Sequence, residues 1–146
     1  MSDQHRNWGS ESGGCQLSIS TNKARFRRGE PVNLDIVFRN NGRAPVGLAR
    51  VSEWFDFEWR VQRMNGTMVP LSTLGKQRSL ALQAGGGGTL FRVAAGEQVA
   101  FSMNLAEIFD LAQGGEIEIQ VVRKALDSGG TPFQVVSNST KIVIET

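Results

Sequence analysis

Of its 146 residues the chain spares one for cysteine, one for histidine and none for tyrosine. A lone thiol, Cys15, excludes an internal disulfide. Structural zinc takes about four Cys or His ligands, and Cys15 and His5 together supply half that number, so no metal is expected. Catalysis by a nucleophile, a base and an orienting group is equally short of parts. His5 sits in a polar leader and Cys15 has no evident base, so no catalytic residue is assigned. No apolar run reaches the ~18 residues of a membrane span. The opening, MSDQHRNWGSESGGC, lacks the apolar segment of a signal peptide. The chain is therefore expected to be cytoplasmic as written, or a piece of a longer secreted protein.

Charge is nearly balanced, with 16 Lys and Arg against 14 Asp and Glu, a net +2. Arg25, Arg27 and Arg28 crowd together, but nucleic-acid binding needs a wider basic face. They are read as a solvated strand edge or loop beside Glu30, and no nucleic-acid partner is expected. Proline is scarce (4) and glycine plentiful (17), the glycines lying between apolar runs as turn residues do.

What is there is a rhythm of two. A chain of this size forms one domain and buries roughly 70% of its unfolded surface. Residues 1–14, rich in Ser and Gly, are expected to be a disordered polar tail in which Trp8 alone can dock on the body. The domain then runs over residues 15–146. Leu17 and Ile19 alternate with polar neighbours. Val32, Leu34, Ile36 and Phe38 share one face, with Val37 breaking the pattern. Phe55, Phe57, Trp59 and Val61 make the most aromatic strand, and Asn65-Gly66 after it signals a two-residue hairpin. Val99, Phe101, Met103 and Leu105 repeat the design, as do Ile117, Ile119 and Val121, then Phe133 to Val136, then Ile142 and Ile144. Leu80 to Leu82 reads as a short strand, Gly85 to Gly88 as a loop, and Ala106 to Phe109 as the one helical turn. The pattern predicts an all-β fold, an antiparallel β-sandwich of seven to eight strands.

Three segments carry a family resemblance: FRRGEPVNLDIVFRNNGRAPVGL, VAAGEQVAFSMNL and FDLAQGGEIEIQVVR. Their order resembles that of a bacterial immunoglobulin-like sandwich, and among named groups it is similar to the intracellular proteinase inhibitor family of bacteria. The N-terminal sandwich of fungal deuterolysin-type protease precursors looks similar too. The resemblance implies a binding domain. Ile117 stands where such domains commonly place a tyrosine, so the hydroxyl tie of a tyrosine corner is absent.

The leading expectation is a non-catalytic module that binds a protein through loops at one end: Asn40 to Pro45, Gly75 to Leu90 and Leu126 to Thr131, with Phe91 and Arg92 beside the second. The alternative is a proteinase inhibitor presenting an extended loop, Leu71 to Leu82, with Lys76 and Arg78 facing the protease. A weaker alternative is glycan binding by Trp54 and Trp59, because Trp54 has the parity of an outward residue. Glu53, Asp56 and Glu58 are read as the charged exterior of the aromatic strand, not as an acid–base or calcium set. Asn65-Gly66-Thr67 and Asn138-Ser139-Thr140 match the glycosylation triplet without further support.

Overall fold

The computed structural model describes residues 6–83 and 88–145, Gln83 by its backbone alone. Ten strands and two helices follow in chain order. The strands are β1 (Cys15–Thr21), β2 (Arg25–Arg27), β3 (Asn33–Asn40), β4 (Val46–Arg50), β5 (Phe57–Arg63), β6 (Thr89–Val93), β7 (Gln98–Asn104), β8 (Gly115–Leu126), β9 (Pro132–Val136) and β10 (Thr140–Glu145). Helix α1 (Thr73–Gln83) lies between β5 and β6, and α2 (Leu105–Ile108) directly follows β7. The fold is thus mostly β, with more strands than the seven to eight expected. Three-residue β2 and the interrupted courses β4–β5 and β9–β10 account for the difference.

One sheet has three strands in the order β1-β3-β7. The other has seven, in the order β2-β10-β8-β4-β6, with β5 and β9 also paired to β8. Pairing is antiparallel except between β10 and β2, where Val143, Ile144 and Glu145 run parallel to Arg25, Phe26 and Arg27. Inward residues of both sheets share one core, led by Leu17, Leu34, Ile36, Phe38, Ile117, Ile119 and Ile142, all fully buried. The period of two is therefore legible in the burial of β3 and β8.

Strand β8 organises the larger sheet. Its residues 117–123 pair with β5, while β10 and β9 occupy the opposite edge in turn. Strand β4 meets the far end of β8 through Gly47 and Leu126. Hence β4 and β5 are two stretches of one course, broken by an excursion over residues 51–56. Between β9 and β10 a smaller break at Ser137 and Asn138 is filled by side chains. Ser137 Oγ accepts from Val121 N at 2.9 Å. The Asn138 amide accepts from Ile19 N at 2.8 Å and donates to Ile19 O at 3.0 Å. Asn138 thereby mimics a strand and ties the edge of β1 to the other sheet. Its side chain is a structural bridge, which takes it out of consideration as a sugar acceptor.

Three expectations are corrected here. Residues 6–14 are ordered on the body rather than forming a disordered tail: Gly9 N donates to Leu17 O at 3.0 Å, Ser18 Oγ donates to Asn7 O at 2.6 Å, and the Arg39 guanidinium lies 3.7 Å from the Trp8 ring centroid. Residues 1–5, including His5, lie outside the described residues, as do residues 84–87 with most of the glycine run. The hairpin after β5 is longer than two residues, because Gly66 N bonds Arg63 O and only Gly66, at φ 89°, enters the left-handed region. The expected strand at Leu80 to Leu82 is the end of helix α1.

Helix α1 starts at Ser72, whose Oγ accepts from Gly75 N at 3.0 Å, as an N-cap does. The same hydroxyl donates to Glu107 O at 2.5 Å, which docks the helix on α2. Gly75 is required by that contact, since a Cβ there would stand 2.3 Å from Ile108 O.

Candidate functional site

Residues from each of the three expected binding loops line one recess of about 250 Å³. Pro45 comes from the first loop, Leu90 from the second, and Leu126 with Asp127 from the third. Register explains the meeting. Ala49 faces Leu90 and Gly47 faces Arg92 across the β4–β6 ladder, so Leu90 and Arg92 share the outward row of β6. Gly47 forms the floor: a Cβ there would sit 3.3 Å from Leu90 Cδ1, so the leucine lies over a position with no side chain. Leu90 remains 58% exposed, among the most exposed of the large apolar side chains described.

The rim is polar. Arg92 is exposed on one side and Asp127 lies on the other. Asp127 Oδ1 accepts from Gly129 N and Thr131 N, both at 2.9 Å, so its carboxylate fixes the β8–β9 turn. Strand β6 is the last in its sheet, so its backbone edge away from β4 has no partner strand among the described residues. Phe91 points the other way. It packs against the core, with the Arg50 guanidinium 4.6 Å from its ring centroid.

The remaining expected site residues are elsewhere. Lys76 and Arg78 are exposed on α1, so residues 73–83 are helical and are no extended loop. The outward reading of Trp54 is corrected: it is 4% exposed. Parity counting assumed an unbroken strand, whereas Trp54 belongs to the excursion between β4 and β5. Trp54 and Trp59 stack at 5.5 Å and 40°, and Trp59 Nε1 donates to Trp54 O at 2.6 Å. Phe109 meets Trp59 edge-on at 5.8 Å, and Phe101 meets Phe57 at 5.3 Å. This is an aromatic core cluster, not a flat platform for a sugar.

Among the carboxylates near that cluster, Asp56 Oδ1 accepts from Val51 N at 2.9 Å and Ser52 N at 3.0 Å, closing the excursion. Glu58 is 3.4 Å from Arg60. No cluster of three or more His, Cys, Asp or Glu that could hold a metal occurs among the described residues. No helix among them is long and apolar enough to cross a membrane.

Cys15 is fully buried, opposite Asn40 in the β1–β3 ladder. Burial, with Glu11 nearby, pushes its thiol from 9.0 to about 11. Such a thiol is a poor nucleophile at neutral pH. It also affects stability. Below the unfolded value the thiol is protonated in both states; as pH rises from 9.0 towards 11 the unfolded chain loses its proton first, and stability falls across that window. Cys15→Ala is expected to flatten this part of the profile, as measured by urea denaturation of both proteins at stepped pH.

Solved structures match most of the chain at low identity. A structural-genomics target, SoR45, superposes with a TM-score of 0.53 at 9% identity, over 92% of this chain and 90% of that one. The crystal structure of a protein described as ApaA from Bordetella pertussis gives 0.51 at 10% identity, over 92% and 98%. At these identities the likeness concerns the fold alone. The Pseudomonas fluorescens alkylpurine DNA glycosylase AlkC matches at 0.44 and 13% identity over 31% of its length, a score too low to speak even to fold. No protein family matches the sequence, and no curated protein does.

Proposed function

We propose that this chain is an immunoglobulin-like sandwich that binds rather than catalyses, and that it takes an extended segment of a partner protein along β6. The strand orders β1-β3-β7 and β10-β8-β5 support the immunoglobulin-like reading, because they match the A-B-E and G-F-C neighbours of that fold. The observation that carries the binding reading is the recess under Leu90, where the β3–β4 turn at Pro45, strand β6 and the β8–β9 turn meet. At about 250 Å³ the recess is smaller than a typical ligand pocket, which spans roughly 300–1,000 Å³. That suits one anchoring side chain of a larger partner, ringed by polar contacts. The open edge of β6 offers the partner's backbone its hydrogen bonds, and Arg92 offers a cation at the rim.

The test is a photo-crosslinking amino acid placed at Leu90 in cells that express the chain naturally, with Met64 as an exposed control site on the β5 hairpin. A discrete protein adduct is expected at Leu90 and none at Met64. Gly47→Leu, which fills the floor, is expected to weaken capture at least about tenfold. Equal labelling at both sites, or none at Leu90, would overturn the proposal.

A further inference from the structure

A second recess, sharing no lining residue with the first, opens where the chain passes from one sheet to the other. The end of β1, the β1–β2 turn, the start of β10 and the N-terminal residues Arg6 and Asn7 enclose about 500 Å³. Every charged side chain in its lining is a cation: Arg6, Lys23 and Lys141. Its walls are set by bonds already made. Thr21 Oγ1 donates to Lys23 O at 2.7 Å and shapes the turn, while Asn138 clamps Ile19. The hydroxyls of Ser20 and Thr140 also line the space, and neither is hydrogen-bonded to another described residue.

Lys23 is shared with an adjoining recess lined by Arg25, Arg27 and Arg28, with Glu30 and Glu145. Together the two recesses bring six cations and two carboxylates to one side of a chain whose formal net charge is +2. The rest of the molecule is therefore net negative, and the positive potential is concentrated here. The carboxylates are occupied: Glu30 pairs with Lys23 and accepts from Arg27 N, and Glu145 lies 3.4 Å from Arg25. Arg27, Arg28 and Lys141 have no ion-pair partner among the described residues.

Cations and hydroxyl donors around a space with no carboxylate among its described lining residues suit an oxyanion that accepts several hydrogen bonds at once. Phosphate does this best, being doubly charged near neutral pH with three acceptor oxygens. The volume lies within the range of small-ligand pockets. Neither recess has an aromatic residue in its lining, so there is no surface on which the bases of a nucleic-acid strand could stack. We propose that this recess binds the phosphate of a small phosphorylated molecule, with Lys141 neutralising its charge, Lys23 at the rim adding positive potential while it stays paired with Glu30, and Ser20 and Thr140 donating to its oxygens.

The test is titration of the ¹⁵N-labelled chain with sodium pyrophosphate and, separately, with adenosine triphosphate at low ionic strength, read as backbone amide shifts. Saturable shifts centred on residues 19–24 and 138–142 are expected with both probes. Lys141→Glu should weaken binding about tenfold, the loss of one charge-assisted contact. Lys124→Glu, a charge reversal of equal size on the exposed part of β8, should leave it unchanged. Thermal melts of both variants control for folding. Scattered or unsaturable shifts, or equal losses in both variants, would overturn the proposal. Tighter binding of an oligothymidylate than of pyrophosphate, with a steeper salt dependence, would overturn it in favour of a nucleic-acid partner.

Discussion

Replacing Asn40 by alanine is expected to lower the unfolding free energy by about 3 kcal/mol, a large share of what a domain of this size possesses. Asn40 ends β3 and is 1% exposed. Its Nδ2 donates to Ala44 O at 2.8 Å and to Val93 O at 3.1 Å, and its Oδ1 accepts from Gly42 N at 2.9 Å. The backbone of Asn40 bonds Glu97 O and Gly96 N as well. One side chain therefore shapes the β3–β4 turn and ties the smaller sheet to β6 of the larger. Alanine removes three bonds worth about 1 kcal/mol each and strands at least one buried carbonyl. Asn40→Asp is expected to be worse at neutral pH, because a carboxylate would face carbonyls where the amide donates. Those surroundings disfavour the charged form, so the aspartate titrates above its unfolded value of about 3.9. Its penalty then grows as pH rises through that interval and eases in acid. Urea denaturation at two pH values decides the matter. An alanine variant within about 0.5 kcal/mol of the parent would refute it.

That residue marks where reading the sequence stops. Alternation identified the inward rows of β1, β3, β8 and β10, because burial of a strand face is a local property with a period of two. The loop from Asn40 to Pro45 was also placed, but what holds its turn is a buried amide whose partner Val93 lies 53 residues away, and none of Asn40, Asn41 and Gly42 has a positive φ. Asn138 reaches 119 residues back to Ile19 in the same way. Partners at such distances leave no local mark. Helix α1 was missed because it buries little: Leu74 and Leu80 are 37% and 64% exposed, so it has no apolar stripe to detect. Its signal was the Ser72 cap followed by good helix formers from Lys76 to Gln83. Residues 40–45 and 126–131 were legible as turn-rich segments, whereas residues 75–83 of the second expected loop are helical; that Pro45, Leu90 and Asp127 meet depends on the β4–β6 register. Arg25, Arg27 and Arg28 were legible as a cluster, but Lys141 and Arg6 join them only through the fold.

Arg123→Ala is expected to cost about 4 kcal/mol and to loosen the excursion that carries Trp54. Arg123 is 2% exposed in the middle of the larger sheet, paired across the ladder with Phe57. Its guanidinium sits where β4 breaks off before β5. Nη1 donates to Asp56 O at 2.9 Å and Nη2 to Ala49 O at 2.6 Å, one carbonyl on each side of the break. A strand interruption orphans backbone carbonyls, and a planar fork of donors satisfies two of them at once. Asp56 completes the closure by taking the amides of Val51 and Ser52. Burial pushes the Arg123 pKa down, with the Asp56 charge opposing that shift, and an arginine stays charged regardless. Alanine relieves the desolvated charge, but it takes the donors from two part-buried carbonyls and removes the stem and cation that pack 5.1 Å from the Phe57 ring centroid. Lysine is expected to restore less than half of the loss, since one ammonium cannot span both carbonyls in the same geometry. Because Trp59 Nε1 is bonded to Trp54 O, loosening the excursion exposes the tryptophan pair, and their emission should shift to longer wavelength before global unfolding. Hydrogen exchange should quicken at residues 49–57 and stay slow in β1 and β3. A fully rescued lysine variant, or unchanged tryptophan emission in the alanine variant, would mean that the break is held by packing and not by the guanidinium.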